Sequence, residues 1–169
     1  LRAAHDLAVD AIGRSAAERT GTAELLRTLL EEGLAGTVAS LPGSFELEVE
    51  EWPARLSVAA ATQFYDLVRT LALDYLRDRG ASNVVLTMFS DSSGIDAKFT
   101  ATWTVAPMDI APNPEASRRI KRLIDDLDAS AETLRRGRSE RVVLKVPVAP
   151  ASAQLSLTAR QAEIIEALS

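Results

Sequence analysis

The stretch from Leu56 to Phe89 constrains the fold more than any other part of the chain. It reads LSVAAATQFYDLVRTLALDYLRDRG and then ASNVVLTMF. With Phe64 at the centre of a face, Leu67, Val68, Leu71, Tyr75 and Leu76 fall on the same side at helical spacing. Asp66, Thr70, Asp74 and Asp78 recur at every fourth position and form one polar stripe opposite that face. Gly80 stands where a left-handed C-cap is expected. The segment after it carries β-branched residues and no charge. A long amphipathic helix, a glycine stop and a buried strand are therefore expected.

The chain has 169 residues, enough for one domain of ordinary size, or one domain and a fragment of another. Its 47% hydrophobic and 25% charged content are those of a soluble globular protein. A net charge of −5 argues against the whole chain being a nucleic-acid-binding surface. There are no cysteines, which excludes disulfides and thiolate metal sites and suits a cytoplasmic protein. With His5 the single histidine, a multi-histidine metal site within one chain is excluded. No apolar run approaches the roughly 20 residues that span a bilayer, so no membrane partner is expected. Leu1 opens in the middle of a helical pattern and no signal peptide is visible. Both ends read as cuts through a longer chain.

Taken in order, the chain opens with a helical pattern in which Leu1, His5, Ala8, Ile12 and Ala16 share a face, ended by Gly21. A second helix starts at Thr22, with Leu25, Leu26, Leu29, Leu30 and Leu34 as its apolar stripe. Phe45, Leu47 and Val49 alternate with glutamates, the pattern of a half-buried strand. After the long helix, the strand at Ala81–Phe89 leads into SDSSG, a hairpin turn. Ile95, Ala97, Phe99, Ala101, Trp103 and Val105 then alternate with polar residues, so the two strands should pair antiparallel. APMDIAPNP is a proline-broken connection. A helix follows from Asn113-Pro114-Glu115, with Asn113 as cap and proline at the first position. Ile120, Leu123, Ile124, Leu127, Ala131 and Leu134 are expected to form its buried face and Gly137 to end it. Arg141–Val148 reads as a final strand. The order α-α-β-α-β-β-α-β predicts an α+β domain, a two-layer α/β sandwich with a mixed sheet.

This order, with FYDLVRTLALDYLRDRGASNVVLTMF at its centre and RVVLKVPV at its end, resembles the ATP-binding domain of sensor histidine kinases, of the GHKL (Bergerat) superfamily. The resemblance is greatest to the branch whose partner regulators carry LuxR-type DNA-binding domains. It covers roughly Thr22 to Val148. In that family the long helix carries Glu, then Asn four residues on, then often His four further on, before a GAS-x-V-x-V strand. Thr70, Asp74 and Asp78 occupy those positions here, before Gly80-Ala81-Ser82-Asn83-Val84.

The resemblance implies a nucleotide site, and the chain departs from it at several points. The family glutamate acts as base or orients water, whereas Thr70 cannot act as a base near neutral pH. The family asparagine holds Mg²⁺. Asp74 could do so, since carboxylates suit hard cations, but would add negative charge beside phosphates. The family's Asp-x-Gly-x-Gly is replaced by VAPMDIAPNP, without glycine, and the second glycine-rich phosphate cradle is missing. Few residues remain for an ATP lid. The expectation is a degenerate domain that does not bind ATP, with Thr70, Asp74 and Asp78 as vestigial nucleotide-site positions. No enzymatic activity, catalytic residue, cofactor or metal is expected. The bland reading of the stripe is a solvated helix face, and the alternative is an acidic pocket for a cation or polar ligand.

His5-Asp6 matches the His-Asp pair of the family's phosphoacceptor helix. The first helix fits better as the second half of a dimerisation hairpin or as a coiled-coil connector, so His5 is read as a helix-face or dimer-interface residue. At the other end, LSLTARQAEIIEALS resembles the first helix of a LuxR-type helix-turn-helix domain. Leu157, Thr158, Arg160, Gln161, Glu163, Ile164, Ile165 and Leu168 match. The plain alternative is any capped amphipathic helix. A recognition helix would lie beyond Ser169.

The expected organisation is a helical connector over 1–21, an ATPase-like domain over 22–148, a linker over 149–156 and the start of a DNA-binding domain over 157–169. The expected role is a regulatory and dimerisation module of a bacterial transcriptional regulator. It would relay a signal from an upstream sensor to DNA through the domain after Ser169. A homodimer is motivated by the leucine-rich second helix and by the two-fold symmetry of such operators. The alternatives are an active or divergent kinase, and a small-ligand sensor in the vacated cleft. Trp103 and Met108 are the apolar positions that could line that cleft, with core packing as the bland role of both.

Overall fold

The computed structural model describes residues 22–105 and 110–148. They form one five-stranded sheet with three helices packed on one of its faces. Helix α1 comprises the α-helical segments Thr22–Thr28 and Leu34–Val38 joined by a π turn at Leu29–Gly33. Strand β1 is Ser44–Val49. Helix α2 is Val58–Leu73, continued by a π turn at Asp74–Asp78. Strand β2 is Asn83–Ser90, β3 is Gly94–Thr102, α3 is Pro114–Asp126, β4 is Ser130–Arg136 and β5 is Ser139–Pro147.

Helix α2 begins where the Ser57 hydroxyl accepts a hydrogen bond from the Ala60 N–H (3.0 Å). It ends at Gly80, whose φ of +67° is the expected left-handed stop. Phe64, Leu67, Val68, Leu71, Tyr75 and Leu76 are all buried, as their spacing predicts. The leucine stripe of α1 is buried too. Each such side chain removed from water contributes about 1.5–3 kcal/mol.

The sheet order is β1-β2-β3-β5-β4. β1 lies parallel to β2, as a strand–helix–strand unit requires. The remaining neighbours are antiparallel. Val84, Leu86, Met88, Ile95, Ala97, Phe99, Ala101, Val142, Leu144 and Val146 alternate onto the helix-covered face. The expected β2–β3 hairpin is present. Asp91 shapes its turn by accepting from the N–H groups of Ser93 (2.7 Å) and Gly94 (3.2 Å). A Cβ on Gly94 would collide with the Val146 carbonyl oxygen, so no other residue fits there without displacing β5.

One expectation is corrected. The helix from Pro114 stops at Asp126 and does not run to Gly137. Asp128 takes a positive φ of 52°, which Asp tolerates better than most residues, and breaks the helix. Residues 130–136 then pair with β5 across the two-residue turn Gly137-Arg138, where Gly137 has φ +61°. Leu123 and Leu127 are buried as expected, but Ala131 and Leu134 are exposed. Their helical spacing from Leu127 is incidental, because the nine-residue β5 provides a ladder that a continued helix would leave empty.

The two assignments differ in a measurable way. Leu123→Ala should cost about 2–5 kcal/mol in urea unfolding, whereas Leu134→Ala should change stability by less than about 0.5 kcal/mol. Equal costs at both positions would restore the long helix.

Candidate functional site

The polar stripe of α2 faces helix α3 and the segment that leads into it. Asp66 accepts from the Arg119 guanidinium through both carboxylate oxygens (2.8 and 2.7 Å). This pair is largely solvated, so it contributes at most about 1 kcal/mol. The Thr70 hydroxyl donates to the Asp66 carbonyl oxygen one turn back (2.7 Å). Asp74 is buried, at 3% exposure, and its carboxylate accepts from the Asn113 backbone N–H (3.2 Å). Asp78 accepts from Arg77 (2.9 Å) and from the Asn113 side-chain amide (3.3 Å).

Asn113 is therefore the point where the stripe is closed. Its backbone N–H meets Asp74, its amide nitrogen meets Asp78, and its amide oxygen caps α3 by accepting from the Glu115 N–H (3.0 Å). Burial pushes the Asp74 carboxyl above its ordinary value, against the opposing pull of the Asn113 hydrogen bond and the nearby Arg79 charge. The hydrogen bond from Arg77 holds Asp78 below its ordinary value.

A second charged group lies beside Asp74, at the end of α2. Arg79 donates to Glu140 (2.7 Å), and both side chains are about nine-tenths buried. The Tyr75 hydroxyl donates to the same carboxylate oxygen. The guanidinium carbon sits 4.4 Å from the Tyr75 ring centroid and 5.4 Å from that of Trp103. The Trp103 indole N–H donates to the Arg79 carbonyl oxygen (2.9 Å). Burial raises Tyr75, as does the hydrogen bond it gives to Glu140. Burial also pulls Glu140 upward, but the hydrogen bonds from Arg79 and Tyr75 outweigh it and leave the carboxyl below its ordinary value. Trp103, a candidate cleft residue, thus packs in the core at 5% exposure.

The solvated-face reading of the stripe is corrected at Asp74 alone, since Asp78 is exposed and the Asp66 pair is largely solvated. Asp74 is buried and Asp66, Asp74 and Asp78 all have partners, because α3 packs along α2. Among the described residues no group of three or more His, Asp or Glu is placed to hold a metal ion. The sequence reading missed Arg119 as the partner of Asp66, and it saw Asn113 as a cap without its two carboxylate contacts. The signal for both was the stripe itself, since carboxylates held on a packed helix need donors from a neighbour. His5, Met108, Leu157, Thr158, Arg160, Glu163 and Ile164 lie outside the described residues.

No family model matches the sequence, and no curated protein sequence matches it. Solved structures do. The Erythrobacter litoralis EL346 blue-light activated histidine kinase superimposes with a TM-score of 0.56 at 15% identity, over 74% of this chain and 41% of that one. The catalytic domain of the histidine kinase ThkA gives 0.53 at 10% identity, over 75% of this chain and 93% of that one. The ATP-binding domain of PrrB from Mycobacterium tuberculosis gives 0.54 at 14% identity, over 72% and 92%. The chain thus spans less than half the length of the Erythrobacter kinase.

At these identities the likeness is one of fold. The chain has the α+β fold of histidine kinase ATPase domains, as the sequence resemblance implied. The expectation of a non-enzyme is corrected by the same finding, because the matched domains are those of kinases, a catalytic domain among them. In addition, no helix among the described residues is long and apolar enough to cross a membrane.

Two outcomes test the site. Because the folded-state pKa of Asp74 is raised, the folded chain holds more protons than the unfolded one between the ordinary carboxylate value and the raised value. Asp74 therefore costs stability as pH rises through that window. Asp74→Asn keeps an acceptor for the Asn113 N–H and removes the charge. Its melting temperature should exceed that of the wild type near about pH 7, with the gain shrinking toward about pH 4. Arg79→Met leaves Glu140 buried without its cation and should cost about 3–5 kcal/mol in urea unfolding. Adding Glu140→Gln should recover part of that loss.

Proposed function

We propose that this chain is the histidine-kinase-type module of a bacterial signalling protein, set before a LuxR-type DNA-binding domain, and that it passes a conformational signal to that domain. The observation that carries this reading is the closed stripe. Asp66, Asp74 and Asp78 hold the start of α3 through Arg119 and Asn113. In this reading α3 is the moving part. A signal entering through the upstream helices shifts α2, releases or tightens α3, and displaces the β4–β5 hairpin that follows it. The linker after Val148 then carries the change to the DNA-binding domains. The LuxR-like residues Leu157, Thr158, Arg160, Glu163 and Ile164 support this placement by resemblance.

A second reading has an observation of its own. Asp74 is a buried carboxylate facing the connection between β3 and α3, and the fold is that of ATP-binding domains. In that reading the module takes a nucleotide there and is a divergent kinase.

The two readings part on one titration. ATP with Mg²⁺ is added to the chain by calorimetry, with thermal melting in parallel. The divergent-kinase reading expects saturable heat and a raised melting temperature, and their absence ends that reading. Saturable heat at micromolar ATP, lost in Asp74→Ala, would move the chain to the second reading. The relay itself is tested in the full-length protein. Asn113→Ala combined with Arg119→Ala should uncouple DNA binding from the signal and leave the DNA-binding domain's own affinity unchanged. A signal response undiminished by both substitutions would end the relay reading.

A further inference from the structure

Strand β4 stands at the edge of the sheet, hydrogen-bonded to β5 on one side, and every residue in it is exposed. Among the described residues no second strand pairs with it, and an edge strand of that kind presents unpaired backbone groups to any other strand of suitable shape. The phase of its ladder follows from β5. The Trp103 N–H donates to the Arg138 carbonyl oxygen (2.9 Å), so even-numbered β5 residues bond β3 and odd-numbered ones bond β4. In β4 the backbone groups of Glu132, Leu134 and Arg136 are thus used on β5, whereas those of Ala131 and Thr133 point to the outer edge.

We infer that this edge pairs with the same strand of a second copy of the chain, antiparallel about a two-fold axis, so that the two sheets become one continuous sheet. A two-fold interface pairs residue i with j and j with i, and it keeps matching faces together. Centred on Leu134, the register sets Leu134 against Leu134 and Glu132 against Arg136 twice, all on the face of the sheet that carries no helix. Moving the centre to Thr133 puts Glu132 against Leu134. Moving it to Glu132 puts the two glutamates against each other, and moving it to Arg135 puts Leu134 against Arg136. The Leu134-centred register is the one of these that matches unlike charges and joins the two apolar side chains.

Three further observations fit this occupant. Leu134 is 51% exposed and among the few large apolar side chains left in water. Glu132 and Arg136 make no ion pair among the described residues, and on one strand they lie about 13 Å apart, too far to pair with each other. The leucines of α1, which first suggested a dimer, are covered by the domain itself. Seven residues of edge make a smaller contact than a standard interface, so the pairing is concentration-dependent and is best read by trapping.

The chain contains no cysteine, which makes the test direct. Leu134→Cys in the 169-residue chain is mildly oxidised at several protein concentrations, beside Lys98→Cys on the same open face as a control. The two thiols introduced at position 134 would stand opposite each other, within disulfide reach. Covalent dimer should form at least about ten-fold faster at 134 than at 98. Adding Glu132→Arg or Arg136→Glu should slow trapping about ten-fold, and the two together should restore it, because the pairs are swapped and not lost. The inference is overturned if trapping at 134 does not exceed the control, even in a chain that sediments as a dimer. It is equally overturned if the combined charge swap fails to recover what each single change removes.

Discussion

Helix α2 has to be satisfied on two sides at once, and the rest of the domain is built to do so. Its apolar side, centred on Phe64, needs a sheet. Its acidic side needs hydrogen-bond donors, because Asp74 sits one turn before the helix end with almost no access to water. A carboxylate in that position is tolerated when something donates to it. The donor is the backbone N–H of Asn113, the residue that also caps α3. One asparagine thereby joins the end of one helix to the start of another and fixes how the β3-to-α3 connection approaches the sheet.

The Arg79–Glu140 pair ties a different set of elements. Arg79 ends α2, Glu140 is the second residue of β5, and Trp103 follows β3. Burying an ion pair gains little stability compared with an apolar replacement, but breaking one is costly. The pair is therefore better understood as a device that fixes position. It sets the β5 register at the end where the hairpin to β4 begins, and its charges also act on Asp74. A shift of α2 along its axis would be felt by both the α3 junction and the β4–β5 hairpin, which is the mechanical basis of the relay proposed above.

Much of the fold was legible in the sequence because period and punctuation agreed. Residues 56–89 show a 3.6-residue apolar repeat, a glycine stop and a β-branched run, and each appears as read. The segment 127–136 was misread because Leu127, Ala131 and Leu134 match a helical repeat by spacing. An edge strand exposed on both faces has no apolar alternation to oppose that pattern, so the deciding features were Asp128 and Gly137, two residues of backbone geometry. The site was half legible. The stripe Asp66, Thr70, Asp74 and Asp78 was visible as a row, but Asn113 and Arg119, which close it, lie 35 to 53 residues away in sequence.

By itself, then, the sequence determined the elements of the core and the family whose fold they resemble, because hydrophobic periodicity and caps are local properties. It also determined that no glycine stands between Gly94 and Gly137, since a glycine is present or absent whatever surrounds it. The tertiary structure decided which carboxylate is buried, which partner each one has, and which strand is left at the edge. Those outcomes depend on desolvation and on donors brought from distant segments, and neither exists until the helices have packed on the sheet.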